Sequence, residues 1–89
     1  MIDGRVTVVN ALGLHARAAA KFVNLAKTFS STIEVRVGDQ SVDGKSIMGV
    51  MMLAAARGTE LVLCVEGPDD AEAFAALTGL VADRFGEAE

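Results

Sequence analysis

Hydrophobic and polar residues alternate with a period of two in several short segments of the chain. Residues 2–9, 32–37 and 60–66 each place apolar side chains on one face and polar or charged side chains on the other. This alternation is typical of strands that bury one face. Gly38 and Asp39 favour a two-residue hairpin turn, so we expect residues 40–43 to return as a further strand.

From residue 16 the apolar period lengthens to that of an amphipathic helix, which we expect to end near Thr28. Ser46 can cap a second, short helix that begins at Ile47. Gly58 can stop that segment, with Arg57 in its last turn. The sequence therefore predicts a helix on each side of the hairpin.

A last helix is predicted after a turn at residues 67 and 68. Asp69 and Asp70 supply a cap and negative charge for its positive end. Its inner face carries apolar residues at helical spacing, namely Phe74, Leu77, Val81 and Phe85. This helix completes the set of predicted elements.

The predicted order is strand, helix, strand, strand, helix, strand, helix, in one domain of residues 1–89. Strands with one apolar face favour an α+β fold in which helices cover one side of a sheet. The same order, without the last helix, also fits the ferredoxin-like arrangement, so the pattern leaves the topology open. A middle helix of about seven residues spans only about 10 Å, which is short for covering a sheet.

Charge is unevenly distributed along the chain, whose formal net charge is −4. Residues 1–58 contain seven Lys or Arg against four Asp or Glu, whereas residues 59–89 contain one against eight. An acidic chain without Trp, Tyr or a basic cluster is a poor candidate for binding nucleic acid. A mildly basic face that meets an acidic protein partner fits this distribution as well as scattered surface charge does.

Other features of the sequence indicate the cellular compartment and the cofactors that the protein could bind. The first residues lack the pattern of a secretion signal, and the longest apolar run is about ten residues against the roughly 18 of a membrane span. We therefore expect a cytoplasmic protein that does not enter the membrane. One His and one Cys leave no structural zinc site, and no phosphate-binding loop for a nucleotide is present, so we expect neither metal nor cofactor. Cys64 is expected to be structural.

His15 follows Leu14 in a glycine-containing loop that opens directly into the first helix. At or next to the N-cap, the positive end of that helix would keep the imidazole neutral and nucleophilic and would favour an attached phosphoryl group. Arg17 in the first turn could fold back and offer paired donors to phosphate oxygens. A histidine that only caps the helix, beside an exposed Arg17, fits the same spacing.

Two sequence motifs favour the interpretation of His15 as a phosphoryl acceptor over that of a helix cap. Residues 13–17 (Gly-Leu-His-Ala-Arg) and 44–51 (Gly-Lys-Ser-Ile-Met-Gly-Val-Met) resemble the signature regions of HPr, the histidine-containing phosphocarrier family of the bacterial phosphoenolpyruvate phosphotransferase system. Element order, motif spacing and length agree over essentially the whole chain. The resemblance implies an open-faced sandwich, in which a four-stranded antiparallel sheet is covered on one face by three helices.

The resemblance also implies a reaction. Phosphorylated enzyme I would phosphorylate His15 on Nδ1, with phosphoenolpyruvate as the original donor. The group would then pass to a histidine of a IIA protein, with assistance from Arg17. The chain would thus be a monomeric substrate of other enzymes and not a catalyst with turnover of its own.

One position departs from the family pattern. HPr proteins usually have proline after the arginine, whereas this chain has Ala18. Proline suits a first helical turn, so Ala18 should loosen the helix start slightly while leaving the chemistry intact. Residues 16–23 (Ala-Arg-Ala-Ala-Ala-Lys-Phe-Val) resemble HPr-like proteins of the nitrogen-related regulatory branch, so sugar uptake and regulation are alternative outputs.

Two further surfaces follow from the resemblance. Ser46 matches the serine that HPr kinase/phosphorylase modifies in many bacteria, and a phosphate there would repel acidic partners. The apolar segment after it either seals the core or forms a docking patch of adaptable methionines. As a docking face, it would comprise Arg17, Lys21, Lys45, Ile47, Met48, Met51 and Met52.

Two other functions fit the same residues. An acylphosphatase-like hydrolase on the ferredoxin-like fold would cradle phosphate with Arg17 and residues 10–13. A regulatory adaptor would bind its target through the face around Met48 whether or not His15 is modified.

Overall fold

The strands and helices of the computed structural model follow the predicted order. The strands are β1 (Ile2–Thr7), β2 (Thr32–Val37), β3 (Gln40–Asp43) and β4 (Glu60–Glu66). The helices are α1 (Ala16–Ala26), α2 (Ile47–Met52) and α3 (Asp70–Ala82), and a single 3₁₀ turn follows at Arg84–Gly86. Every predicted strand is present, and β1 ends at Thr7 rather than at Val9.

All strand pairs are antiparallel, and the order in the sheet is β1-β4-β2-β3. In the ferredoxin-like arrangement β1 and β3 would occupy the centre, whereas here both are edge strands. The three helices complete the predicted α+β open-faced sandwich. The open-faced sandwich is therefore confirmed, and the ferredoxin-like alternative is wrong.

The buried core lies between the sheet and the helices. Leu61, Leu63 and Val65 alternate along β4 and are shielded from solvent, in one cluster with Phe22 of α1 and Leu77 of α3. Burying a side chain of this size contributes about 1.5 to 3 kcal/mol. α1 packs against both α2 and α3, so the core holds its N-terminus in a fixed position.

The first helix is slightly shorter than predicted. α1 ends at Ala26, Lys27 is its C-cap, and Thr28 lies in the following turn. The Thr28 hydroxyl donates to the Leu25 carbonyl at 2.7 Å, which stabilises this turn. The predicted end near Thr28 is therefore displaced by the turn that leads to β2.

The middle helix has six residues, close to the predicted length of about seven, but it ends well before the predicted stop at Gly58. α2 finishes at Met52, and Leu53 after it is buried. Ala54 then adopts a left-handed φ of 49°, which turns the chain away from the helical path. The prediction that Arg57 lies in the last turn of this helix is wrong, because Arg57 and Gly58 lie in the turn before β4.

Asp69 does not cap α3 with its side chain. Its carboxylate instead accepts hydrogen bonds from the backbone N–H groups of Ser30 and Ser31, at 2.8 and 2.9 Å, and from the Ser31 hydroxyl. Gly67 allows this approach, because a Cβ there would lie 2.6 Å from the Ser31 Cα. The carboxylate thus joins the start of α3 to the loop between α1 and β2, so Asp69 occupies the predicted N-cap position but its side chain does not cap the helix. Asp70, in the first turn, pairs with the N-terminal amino group at 3.3 Å.

Replacing Asp69 by Asn should lower the free energy of unfolding at neutral pH, because an amide cannot accept all three hydrogen bonds. The hydroxyl of Ser31 and the backbone N–H of Ser30 lower the pKa of the Asp69 carboxyl from its ordinary value of 3.8. The ionised carboxylate therefore stabilises the fold above that value, and this contribution is lost as the pH falls through the lowered pKa. Denaturant unfolding should separate wild type from Asp69→Asn at neutral pH and bring them together in strong acid.

The matched control is Asp39→Asn, in the exposed hairpin turn, which should leave unfolding nearly unchanged at every pH. An equal difference between wild type and Asp69→Asn in acid and at neutral pH would contradict the assignment.

Candidate functional site

The loop before α1 is anchored to the segment after α2. Gly13 has a φ of 65°, and a Cβ there would lie 2.4 Å from the Ala55 carbonyl oxygen, so this approach requires glycine. Leu14 donates its backbone N–H to the same oxygen at 2.8 Å, and its side chain is buried. The backbone is therefore fixed immediately before it reaches His15.

His15 is the N-cap residue of α1, with an extended backbone of φ −70° and ψ 175°. Its carbonyl accepts the first helical hydrogen bond, from the Ala19 N–H at 2.8 Å, but its side chain forms no capping hydrogen bond. The interpretation of His15 as only a side-chain cap is therefore wrong. No acidic residue lies in the first turn, so α1 presents the positive end of its dipole at this point.

A carboxylate from the far end of the chain binds the His15 ring. Nε2 of His15 contacts Oε2 of Glu87, and Oε1 of Glu87 accepts a hydrogen bond from Nδ2 of Asn10 at 3.0 Å. The hydrogen bond with His15, and then that with Asn10, lower the pKa of the Glu87 carboxyl. An ionised carboxylate only accepts hydrogen bonds, so Nε2 must carry a proton, and in the neutral ring this tautomer leaves the lone pair on Nδ1.

The turn after α3 brings Glu87 to this position. Arg84 and Phe85 both adopt left-handed backbones, with φ of 57° and 54°, and each such residue costs about 1 to 2 kcal/mol. Phe85 is fully buried, and its carbonyl accepts a hydrogen bond from Nζ of Lys21 at 2.7 Å. Burial of this ring offsets the strain, and the chain beyond Gly86 is directed toward His15.

Arg17 lies in the same depression as His15. The depression has a volume of about 690 Å³ and is lined by Ala11, Leu12, His15, Ala16, Arg17, Glu87, Ala88 and Glu89. The Arg17 side chain is exposed and forms no ion pair within the chain. The structure therefore brings the predicted pair together and leaves the guanidinium available to a ligand or partner.

Most apolar side chains of α2 face solvent. Only Val50 of this helix is buried. The exposed members and their exposed fractions are Ile47 at 42%, Met48 at 70%, Met51 at 41% and Met52 at 67%. The interpretation that this segment mainly seals the core is therefore wrong for these four residues. Leu12, which is 72% exposed and lines the depression, adds an apolar residue that the sequence did not single out.

Two lysines of the predicted docking face are engaged within the chain. Nζ of Lys21 donates a hydrogen bond to the Phe85 carbonyl, as described above. Nζ of Lys45 donates one to the Phe29 carbonyl at 2.8 Å. Each ammonium has three donors, so these bonds hold the side chains in place without exhausting them. Both lysines therefore have a structural role beside any role in docking.

Ser46 is the N-cap of α2, as predicted. Its hydroxyl oxygen accepts a hydrogen bond from the Gly49 N–H at 3.1 Å. The side chain is partly exposed, at the end of the helix that carries the exposed methionines.

Sequence reasoning missed Glu87 and the role of Asn10. Glu87 lies 72 residues from His15, and nothing in the acidic C-terminal segment distinguishes it from Asp83 or Glu89. Asn10 had one signal, since it is a polar residue in an otherwise apolar run, and it is fully buried.

The arrangement does not resemble a metal centre or a membrane segment. No group of three or more His, Cys, Asp or Glu side chains is placed to hold a metal ion. No helix has the length and apolar character required to cross a bilayer.

Residues 2–83 match the family described as the HPr component phosphorylation site of the phosphotransferase system (PTS). The chain is 51% identical to the phosphocarrier protein HPr of Cupriavidus necator over 89 residues, which cover 100% of both chains. It is 54% identical to the phosphocarrier protein HPr of Pseudomonas aeruginosa over 87 residues, or 94% of each chain.

Solved structures agree with these relatives. The crystal structure of HPr from Thermoanaerobacter tengcongensis superposes with a TM-score of 0.96 at 43% identity and covers 100% of both chains. Crh, the catabolite repression protein of Bacillus subtilis, superposes with a TM-score of 0.76 at 39% identity over 94% of this chain and 97% of the other. The chain therefore belongs to the HPr family of phosphocarrier proteins of the phosphotransferase system.

Proposed function

We propose that His15 accepts a phosphoryl group on Nδ1 from phosphorylated enzyme I, with phosphoenolpyruvate as the original donor, and passes it to a histidine of a IIA protein. The proposal rests on the hydrogen bonding of the two nitrogens of the His15 ring. Glu87 occupies Nε2, whereas Nδ1 forms no hydrogen bond within the chain. The ring also stands at the N-terminus of α1, where the helix dipole and unpaired N–H groups favour a dianionic phosphoryl group.

Arg17 assists the transfer. Its unpaired guanidinium lines the same depression as His15, within reach of a group bound there. A guanidinium can offer two parallel donors to phosphoryl oxygens and so stabilise the charge that moves between donor and acceptor.

The exposed residues of α2 form the docking face, with Arg17 beside them. Methionine side chains adapt to differently shaped surfaces, so one face can serve enzyme I and several IIA proteins in turn. Lys21 and Lys45 contribute positive charge at its edge.

Ser46 is a regulatory phosphorylation site for HPr kinase/phosphorylase. The N-terminus of α2 would accept a phosphate at this position, but the added negative charge would weaken binding of acidic partners. Regulation would therefore act on docking and leave the His15 ring unchanged.

A regulatory output is the second candidate. The methionines of α2 are exposed without any modification of His15, so the same face can bind a target as an adaptor. Crh, a relative with the same fold, is named for catabolite repression, and the run at residues 16–23 resembles the nitrogen-related branch. In that case the phosphoryl state of His15 would report on phosphoenolpyruvate supply to a regulator.

Incubation with phosphoenolpyruvate, Mg²⁺ and enzyme I should add one phosphoryl group, measured as intact mass. The group should be lost in acid, because the phosphorus–nitrogen bond of phosphohistidine is acid-labile, and His15→Ala should gain nothing. An unchanged mass of the wild-type protein, or an equal gain in His15→Ala, would contradict the proposal. The isolated protein should not hydrolyse acetyl phosphate, and hydrolysis would instead support a phosphatase activity of this site, on a fold other than the ferredoxin-like one.

Replacing Met48 by Ala should raise the KM for this protein in phosphorylation by enzyme I by about 5-fold or more, because loss of a docking contact of about 1 to 3 kcal/mol corresponds to about 5- to 150-fold. The kcat should change little, since the His15 ring is unaltered. Val62→Ala is the matched control, because it removes an apolar side chain from the uncovered face of the sheet. Equal KM values for the two variants would show that α2 is not part of the docking face.

Ser46→Asp should keep the helix cap and slow phosphorylation of His15, because Asp caps a helix as well as Ser but adds negative charge. Ser46→Ala should show the opposite pattern, with about 1 kcal/mol less stability and an unchanged rate of phosphorylation. Denaturant unfolding and initial rates on the same samples separate the two effects. Identical rates for Ser46→Asp and wild type would contradict regulation by charge.

A further inference from the structure

We infer that Asn10 and Glu87 are positioning residues for phosphoryl transfer, and that they act as a pair that holds the proton of His15 on Nε2. This inference rests on the proposed function of His15 and extends it to two residues outside the signature strings. It is carried by the contacts between the Asn10 amide, the Glu87 carboxylate and the His15 ring.

The orientation of the Asn10 amide is fixed by two acceptors. Its Nδ2 donates to the Gly13 carbonyl at 2.8 Å and to Oε1 of Glu87 at 3.0 Å. A reversed amide would place Oδ1 against both of these oxygens, which is unfavourable. Oδ1 is buried and accepts no hydrogen bond, so the two contacts of Nδ2 alone determine the orientation.

The fixed amide determines how Glu87 meets His15. Because Asn10 holds Oε1, the other carboxylate oxygen, Oε2, is directed at Nε2 of His15. The carboxylate binds the ring as an acceptor, and the tautomer with the proton on Nε2 is the one that fits. In the neutral ring, Nδ1 is thereby left with its lone pair, which can attack phosphorus.

The transfer step needs no proton to enter or leave the site. The lone pair of Nδ1 forms the new bond to phosphorus, and the bond from phosphorus to the ring nitrogen of the donor phosphohistidine breaks, with its electron pair returning to that nitrogen. Nε2 of His15 keeps its proton, so the phosphorylated ring gains a positive charge. The Glu87 carboxylate in contact with Nε2 faces that charge and stabilises it.

If Asn10 and Glu87 act as a pair, the two substitutions of Glu87 should reduce transfer in an unusual order. In Glu87→Gln, Asn10 still donates to the position of Oε1, so the side-chain oxygen of the new amide must occupy that position. The NH₂ group then faces Nε2 of His15 as a donor, which favours the tautomer with the proton on Nδ1. Nδ1 is no longer the nucleophile in that tautomer, so the isosteric substitution should be more harmful than removal of the side chain.

Single-turnover transfer from phosphorylated enzyme I tests this order. We expect Glu87→Ala to be about 10-fold slower than wild type, because an orienting partner is lost. Glu87→Gln should be slower again by about 10-fold or more, because the wrong tautomer is enforced. The double variant Asn10→Ala/Glu87→Gln should recover at least the rate of Glu87→Ala, because the glutamine amide can then turn its oxygen to the ring.

Nitrogen NMR of the unphosphorylated protein provides an independent readout, and the single histidine makes its assignment unambiguous. At a pH where the ring is neutral, wild type should show the proton on Nε2, whereas Glu87→Gln should show it mainly on Nδ1. Glu66→Gln, an exposed substitution of the same kind on β4, should match wild type in both measurements.

The outcomes separate this inference from the proposed function. Lack of phosphorylation of the wild-type protein would overturn the proposed function, and the tautomer measurement could still be made. Equal or faster transfer by Glu87→Gln relative to Glu87→Ala, with the proton still on Nε2, would overturn the pair, because a carboxylate that only anchors the chain end is better replaced by Gln than by Ala. The comparison of the two Glu87 variants decides the question even if Asn10→Ala does not fold.

Discussion

Burial of one face of the sheet is the constraint on which the rest of this structure depends. The two central strands, β4 and β2, alternate between buried residues and residues that are half-buried or exposed, and helices on one side cover the buried set. α1 supplies Phe22 to this core, which sets its rotation and the height of its N-terminus. The position of His15 follows from that placement. The residue proposed as phosphoryl acceptor is thus held in place by a core that is shielded from solvent.

The strands and the placement of the residues in the signature motifs could be predicted, because both depend on residues close together in the sequence. Period-two alternation identified β2 and β4 at their observed bounds, and the hairpin turn before residue 40 identified β3. His15 and Arg17 lie in one turn of helix, so a family resemblance and the helix dipole together were enough to connect them. The Ser46 cap was predictable for the same reason, since the hydroxyl and the N–H that it binds are three residues apart.

The parts that could not be predicted depend on contacts between distant segments. α2 ends at Met52 because the chain must turn to meet the loop before α1, and a helix pattern contains no information about that loop. Asp69 lies at the position of a cap, but two serines from another loop are better placed to donate to it. Glu87 follows a left-handed turn at Phe85, a conformation that an aromatic residue adopts only when burial compensates for it.

Because of the turn at Arg84 and Phe85, the contact between Glu87 and His15 depends on a short segment of the chain rather than on the whole fold. Glu87 reaches His15 from residues 84–89, and the contacts of this segment with the rest of the chain are mainly the buried Phe85 ring, the Lys21 hydrogen bond and the Glu87 carboxylate. A segment held by so few contacts opens with a smaller free energy than the sheet. The histidine would then lose its partner while every strand stays paired. Resistance of this protein to heat or denaturant therefore measures the stability of the sheet and its helices. Hydrogen exchange in the last residues instead measures the stability of the contact between Glu87 and His15.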